Sequence, residues 1–148
     1  MIIKPRLFKF SDILEHILYE DTEKEYKSAV AIVEYRDRWL LGMARNTGDD
    51  RDSKWVHPGG GIKKGETPEK AAERECFEET GIRCKAVGKA FSMSDRPGVA
   101  FVHCRATSGD QKFKPNSEFS ALGFFTMAEI RHLKPLFKNV KKLIESVR

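Results

Sequence analysis

Three glutamates, Glu75, Glu78 and Glu79, crowd the stretch AERECFEETGI, and three consecutive glycines, Gly59, Gly60 and Gly61, lie just upstream. On a helix, residues three and four apart share a face, so the three carboxylates project in one direction. Like charges at that spacing cost a helix roughly 0.2–0.5 kcal/mol. A solvated face, the plainer alternative, would sooner alternate Glu with Lys. Arg74 precedes Glu75 and is expected to point to a different flank, leaving the cluster without a counter-charge. A hard cation such as Mg²⁺ supplies one, because it takes carboxylate oxygens, water and substrate phosphates as ligands. Glycines, lacking Cβ atoms, let backbone amides and carbonyls approach a metal or a phosphate closely. The pattern is that of a place to hold divalent cations.

A helix must position those carboxylates. Thr67 is a good N-cap, Pro68 suits the first helical position, Glu69 favours the positive end of the dipole, and Gly81 fits a C-cap after Thr80. Upstream, SAVAIVEY (28–35) and WLLGMAR (39–45) read as a β-hairpin turned by RDR, and WVH (55–57) as a short strand ending at Pro58. The segment 46–54 is polar and reads as a loop. Downstream, CKAVGKAFSM and GVAFVHCRAT read as strands separated by a loop holding Asp95, Arg96 and Pro97. Residues 109–120 read as loop and ALGFFTM as a last strand. A C-terminal helix is expected from about Pro135, with Leu133, Phe137, Val140, Ile144 and Val147 forming its apolar stripe. Residues 11–20, capped by Ser11, read as a short helix. Interspersed strands and helices predict one α/β domain, a mixed sheet between helices.

The spacing Gly60, Glu66, Arg74-Glu75, Glu78-Glu79, Gly81 and Ile82 resembles the Nudix box in every charged and glycine position. The one soft departure is Cys76, where Leu, Ile or Val is usual; cysteine is a small hydrophobe, so this should alter packing and not chemistry. The resemblance implies a Nudix-type α/β/α sandwich over roughly residues 28–147, with residues 1–27 an N-terminal extension packed on the domain 28–148. It implies cleavage by water of a nucleoside diphosphate linked to some group X, with clustered Mg²⁺ or Mn²⁺ neutralising the phosphates and activating the water. It also implies that Glu75 and Glu79 are the main ligands, with Glu78 and the carbonyl of Gly59 completing the set. Arg74 would hold a glutamate across the loop–helix junction, and Glu66 would brace the loop formed with Gly60 and Gly61. The base is either Glu75 or Glu118, which lies at a spacing resembling the family's loop acid before the final strand.

Substrate signals are sparser. Pro97 stands sixteen residues after Gly81, where a proline resembles the mark of ADP-ribose-cleaving members; it is equally an ordinary turn former beside Gly98. Arg45 matches a position where the family often contacts phosphate, and is otherwise a solvated strand end. Trp55 and Phe91 could stack on a base, although aromatics in strands are more often core. His57 reads as a turn-capping residue, and His132 and the tail lysines as a solvated face.

Composition bounds the rest. With 148 residues, 40% hydrophobic and 33% charged, the chain suits one soluble domain. Its net charge of +5 equals that of residues 131–148, six Lys/Arg and one Glu, so the basicity belongs to the tail. Cys76, Cys84 and Cys104 form no CxxC pair, which fits a reducing, cytoplasmic setting. No stretch approaches the ~20 apolar residues of a membrane span, so no membrane partner is expected. Three functions follow: a metal-dependent hydrolase of a small nucleotide, slightly favouring ADP-ribose-like nucleotide sugars but including (d)NTPs and dinucleoside polyphosphates; an RNA 5′-end pyrophosphohydrolase, with faint support from the basic tail; and a non-catalytic binding protein, which would be expected to lose box acids. A closed, aromatic-lined pocket would favour a small molecule, and a basic strip leading into the cleft would favour RNA. The N-terminal segment could serve a dimer contact.

Overall fold

The computed structural model describes residues 25–114 and 116–148; the helix expected over 11–20 lies outside them. β1 (Ser28–Tyr35) and β2 (Arg38–Ala44) are joined through Arg36 and Asp37, at φ 50° and 60°. Two left-handed residues make the hairpin turn whose twist matches the flanking strands. Along its whole length β1 pairs in parallel with β7 (Arg96–Ala106), from Ser28↔Val99 to Glu34↔Arg105. Its other edge is shared. The start of β1 pairs with β4 (Gly59–Gly61), and only its end, Glu34↔Trp39 and Tyr35↔Arg38, pairs with β2. The sheet therefore forks between β2 and β4. β2 departs with β3 (Trp55–Val56) and β8 (Phe119–Phe125), while β5 (Cys84–Ala86) and β6 (Phe91–Met93) extend β7. The fork is where the functional cavity opens.

Side chains alternate across the sheet, and the two faces differ in size. Ala29, Ala31, Val33, Ala100, Val102, Cys104 and Ala106 form one face, covered by Ala71, Ala72 and Cys76 of α1 (Pro68–Thr80). Small residues on both sides bring the helix backbone close to the strands, which lets short glutamate side chains reach β4. On the other face Ile32, Trp39, Leu41, Phe101, Phe119 and Phe137 form a bulkier core under α2 (Met127–Ile130) and α3 (Val140–Val147). Among the described residues no helix is long and apolar enough to cross a membrane.

α1 ends where its caps predict: Thr67 accepts from the amide of Lys70 at 3.1 Å, and Gly81 at φ 81° donates to the Phe77 carbonyl. Four expectations need correction. The glycine run is an extended strand, not a loop, because its backbone completes the β1 edge. The strand read over 84–93 is broken at Val87–Ala90, because helix acids take its amides: Glu73 accepts from Ala86 and Glu69 from Ala90, both at 2.8 Å. Arg96 and Pro97 belong to β7, since Met93 pairs directly with Arg96. The C-terminal helix starts at Val140, not Pro135, because the preceding residues pair with β3: Trp55 donates to the Pro135 carbonyl at 2.9 Å and accepts from Phe137 at 3.0 Å. The short α2 was not expected at all, although the capping box of Thr126 and Glu129 marks its start.

Candidate active site

Glu75 and Glu79, one turn apart on α1, face the glycine strand. Gly59 donates its amide to Glu79 Oε1 at 3.1 Å, and a methyl group built on Gly60 would land on the Glu75 carboxyl. Glu79 is 8% exposed, whereas the Glu78 side chain stays half exposed.

Arg74 does not point away from these acids. Its guanidinium donates from Nη1 to Glu75 Oε2 at 3.2 Å and to Glu78 Oε1 at 3.1 Å, and from Nη2 to the Gly61 carbonyl at 2.9 Å. Its remaining donors clasp Glu66, Nε to Oε2 at 2.7 Å and Nη2 to Oε1 at 2.9 Å. The reason is partly local, since Glu78 lies four residues on along the same face, and partly tertiary: the turn after Gly61 folds Glu66 back over the helix, where the amide of Lys63 also donates to it at 2.9 Å. A guanidinium can bridge a carboxylate fork, two further acids and a carbonyl because its donors lie in one plane. These bonds hold the Glu66 carboxyl down at about 2. A depressed carboxylate adds stability that is complete above its unfolded pKa of ~4.3 and fades as pH falls through the folded value. Glu66→Gln should therefore cost about 1–2 kcal/mol near neutrality, and the deficit should shrink between pH 4 and pH 2 in urea-melt series.

Glu118 reaches the same place from the far side of the fork. A cavity of about 210 Å³ is lined by Arg45, Arg51, His57, Gly59, Glu79 and Glu118, among others. Asn116 sets Glu118 there. Its side-chain amide donates to the Glu79 carbonyl, and its Oδ1 accepts from the amides of Glu118 at 2.7 Å and Phe119 at 2.9 Å. Arg45 holds the segment from the other flank, donating to the carbonyls of Ser117 and Asn116 at 3.0 Å each. Burial pushes the Glu79 carboxyl well above the usual carboxylate range, opposed by the Gly59 amide and reinforced by Glu118 and Glu75. Glu75 is also raised, chiefly by burial, against the pull of Arg74.

Such crowding of hard oxygens in a half-dry cleft suits a divalent cation, which would turn the mutual penalty of Glu75, Glu79 and Glu118 into binding energy. As they stand, no three His, Cys, Asp or Glu side chains among the described residues are grouped at metal-ligating spacing. Arg74 draws Glu75 and Glu78 toward itself, and Glu79 and Glu118 are the acids that line the cavity.

Other residues singled out in the sequence fall elsewhere. Trp55 packs edge-on against Phe125 at 5.2 Å and Phe91 lies 5.9 Å from Phe101, both against the α3-side core. Pro97 is exposed on β7, and none of these three lines the cavity. His57 is buried with both ring nitrogens unpartnered; the Val140 main chain approaches the ring without reaching hydrogen-bond geometry. Arg51 and Asn116 escaped the sequence reading. An Asn two residues before the loop acid is a turn signal that could have been used. Arg51, between Asp50 and Asp52, looks like any solvated loop charge.

The family model of the NUDIX domain matches residues 25–147 of this chain. The chain belongs to the Nudix family. Nudix proteins generally use divalent metal ions, in keeping with the acid-lined cleft. The chain is 31% identical to a MutT-like protein of Streptomyces ambofaciens over 106 residues, 70% of this chain and 65% of that one. It is 42% identical to an RNA pyrophosphohydrolase of Pectobacterium atrosepticum over 62 residues, 42% of this chain and 33% of that one. It also resembles the structure of an ADP-ribose pyrophosphatase from Streptococcus suis, with a TM-score of 0.61 and 25% identity over 82% of this Nudix chain and 91% of the other. The chain spans less than two thirds of the curated relatives it matches.

Proposed function

We propose that this Nudix protein is a metal-dependent pyrophosphohydrolase that cleaves a nucleoside diphosphate linked to a group X. The observation that carries this reading is the meeting of Glu79, held on the Gly59 amide, with Glu118 in one cavity rimmed by Arg51. Mg²⁺ or Mn²⁺ bound by Glu79, Glu75 and Glu78 with the Gly59 carbonyl would neutralise the diphosphate and make a water nucleophilic. The chain's own residues do the remainder. Arg51 holds substrate oxygens at the rim, and the Gly59–Gly61 strand offers a surface without side chains against which the diphosphate can lie. Glu118 accepts the proton of the attacking water. It is favoured over Glu75 because Glu75 is clasped by Arg74 and packed on Gly60, whereas Glu118 stands in the cavity.

Glu118→Gln should lower kcat by roughly 10²–10⁴-fold, the range for loss of a general base. A Glu118→Gln enzyme with the wild-type kcat would assign the proton to Glu75. The overall reading is tested by incubating the purified chain and Mg²⁺ or Mn²⁺ with ADP-ribose, NADH, nucleotide sugars, diadenosine polyphosphates, (d)NTPs and triphosphorylated RNA. Products are then identified; absence of any anhydride cleavage would refute it. An ADP-ribose-like substrate gains support from the likeness to the Streptococcus suis enzyme, and an RNA 5′ end from the Pectobacterium relative. Trp55 and Phe91, placed in the core, lend nothing to either.

A further inference from the structure

Arg51 is shared by the acid-lined cavity and by two more that border the Gly59–Gly61 strand, the larger of them also lined by Asp49 and Asp50. The smaller, about 60 Å³, is lined by His57, Phe101 and Val140, among others; the larger, about 420 Å³, runs beside Gly60 and Gly61. Both are bordered by Arg51, Arg96, Phe137 and Lys138. Together they form one recess leading away from Glu79.

The charges of this recess do not cancel. Arg51 is paired with Asp49 at 2.8 Å, and Lys138 only loosely with Asp50 at 4.0 Å. Arg96 has no carboxylate partner among the described residues. Its guanidinium is instead held against two rings, 5.6 Å from the centroid of Phe101 and 5.5 Å from that of Phe137. Stacking fixes the direction of its donors while leaving them without a hydrogen-bond partner among the described residues. The first residue of α3, Val140, lines the same recess. That helix has no acid in its first turn and no side-chain cap; the side-chain amide of Asn139 donates to Asp95 at 3.3 Å. The Asp95 carboxylate stands beside the N-cap, so the positive end of the helix is already partly compensated. His57 also borders the recess, but it is only 8% exposed, its ring nitrogens are buried and the Val140 main chain lies beside the ring.

We propose that this recess seats a further phosphoryl group carried by X, so that the preferred substrates hold three or more linked phosphates and not a diphosphate ending in an uncharged sugar. The inference rests on the pyrophosphohydrolase reading of the adjoining cavity. An uncharged sugar would place hydroxyl groups against Arg96 and cover its guanidinium without a counter-charge. A phosphate meets it with charge-assisted bonds. The shared chemistry is a polyphosphate, which a free nucleotide or a triphosphorylated RNA end can supply.

The test has a binding and a kinetic arm. Inorganic tripolyphosphate is titrated calorimetrically into the full chain and into Arg96→Gln and Lys138→Gln. At least fivefold weaker binding in each is expected, and wild-type affinity in both variants would overturn the proposal. Lys138 is 60% exposed in its side chain, so its variant keeps the test sound should Arg96→Gln fold poorly. In the kinetic arm, kcat/KM is measured with ATP, diadenosine tetraphosphate and a triphosphorylated RNA oligonucleotide, each against ADP-ribose. Wild type should favour at least one polyphosphate tenfold or more, and that ratio should fall at least fivefold in both variants. The ATP and RNA arms distinguish the two sources. A preference for ADP-ribose, or a preference that neither variant moves, would overturn the recess. Weakened tripolyphosphate binding with no hydrolysis of any substrate would instead sustain the recess and overturn the hydrolase reading.

Discussion

Glu79→Gln is expected to abolish turnover while leaving the protein as stable as wild type or more so. Its carboxyl is buried, faces Glu118 and lies near Glu75, so its charged form is disfavoured where it stands. Glutamine keeps a carbonyl oxygen that can accept the Gly59 amide and removes the like-charge repulsion. If Glu79 is the central cation ligand, kcat should fall by about 10²–10⁴-fold, comparable to the loss of a catalytic acid, base or oxyanion donor. Thermal melts and steady-state assays on the same preparation separate the two effects. Turnover at the wild-type rate would remove Glu79 from the metal site. A fall in activity accompanied by an equal loss of folded protein would make it a structural acid.

Two neighbouring glycines should respond in opposite ways to the same added methyl. On Gly59 the new Cβ would stand 2.5 Å from the Ala29 carbonyl oxygen and 2.9 Å from Val30 Cα. Both are backbone atoms of the central strand and cannot step aside. Gly59→Ala should therefore destabilise the fold by about 1–3 kcal/mol or more, the scale of overpacking in a core. On Gly60 the methyl would meet only the carboxyl end of Glu75, which can swing away. Gly60→Ala should lower stability by less than about 1 kcal/mol, yet move Glu75 from its place beside Arg74. A displacement of about 1 Å in a positioned group costs roughly 10²-fold in rate. Denaturant melts and kcat/KM on both variants decide the matter; a stable, active Gly60→Ala would show that Glu75 needs no support from the glycine strand.

The ends of α1 were legible because every signal for them is local. Thr67 caps an amide three residues on, and Gly81 takes the left-handed conformation its lack of a side chain permits. β1 and the hairpin were readable for the same reason, since alternation and a tight turn need only neighbouring residues. What involved distant partners was not. The Arg74–Glu78 pair follows from its i,i+4 spacing and was passed over, whereas Glu66, eight residues upstream, is brought over Arg74 by the turn after β4. The chain from Pro135 to Phe137 has helical patterning, but the free backbone groups of Trp55 claim it first. Trp55 and Phe91 suit base stacking by type, and only the packing on the α3 face shows where their rings lie.

From spacing alone the sequence determined that three carboxylates share a helical face and that glycines precede them, because helical geometry follows from residue number. It also carried the family, since the box is a contiguous string. The tertiary structure decided which acids meet. Glu118 stands opposite Glu79 only because the sheet forks between β2 and β4 and Asn116 ties the loop to the end of α1. It likewise decided that Arg51, Arg96 and Lys138, 45 and 42 residues apart in sequence, border one recess. Cavities are made by segments that approach through sheet pairing and side-chain-to-backbone bonds, and no local pattern records those approaches.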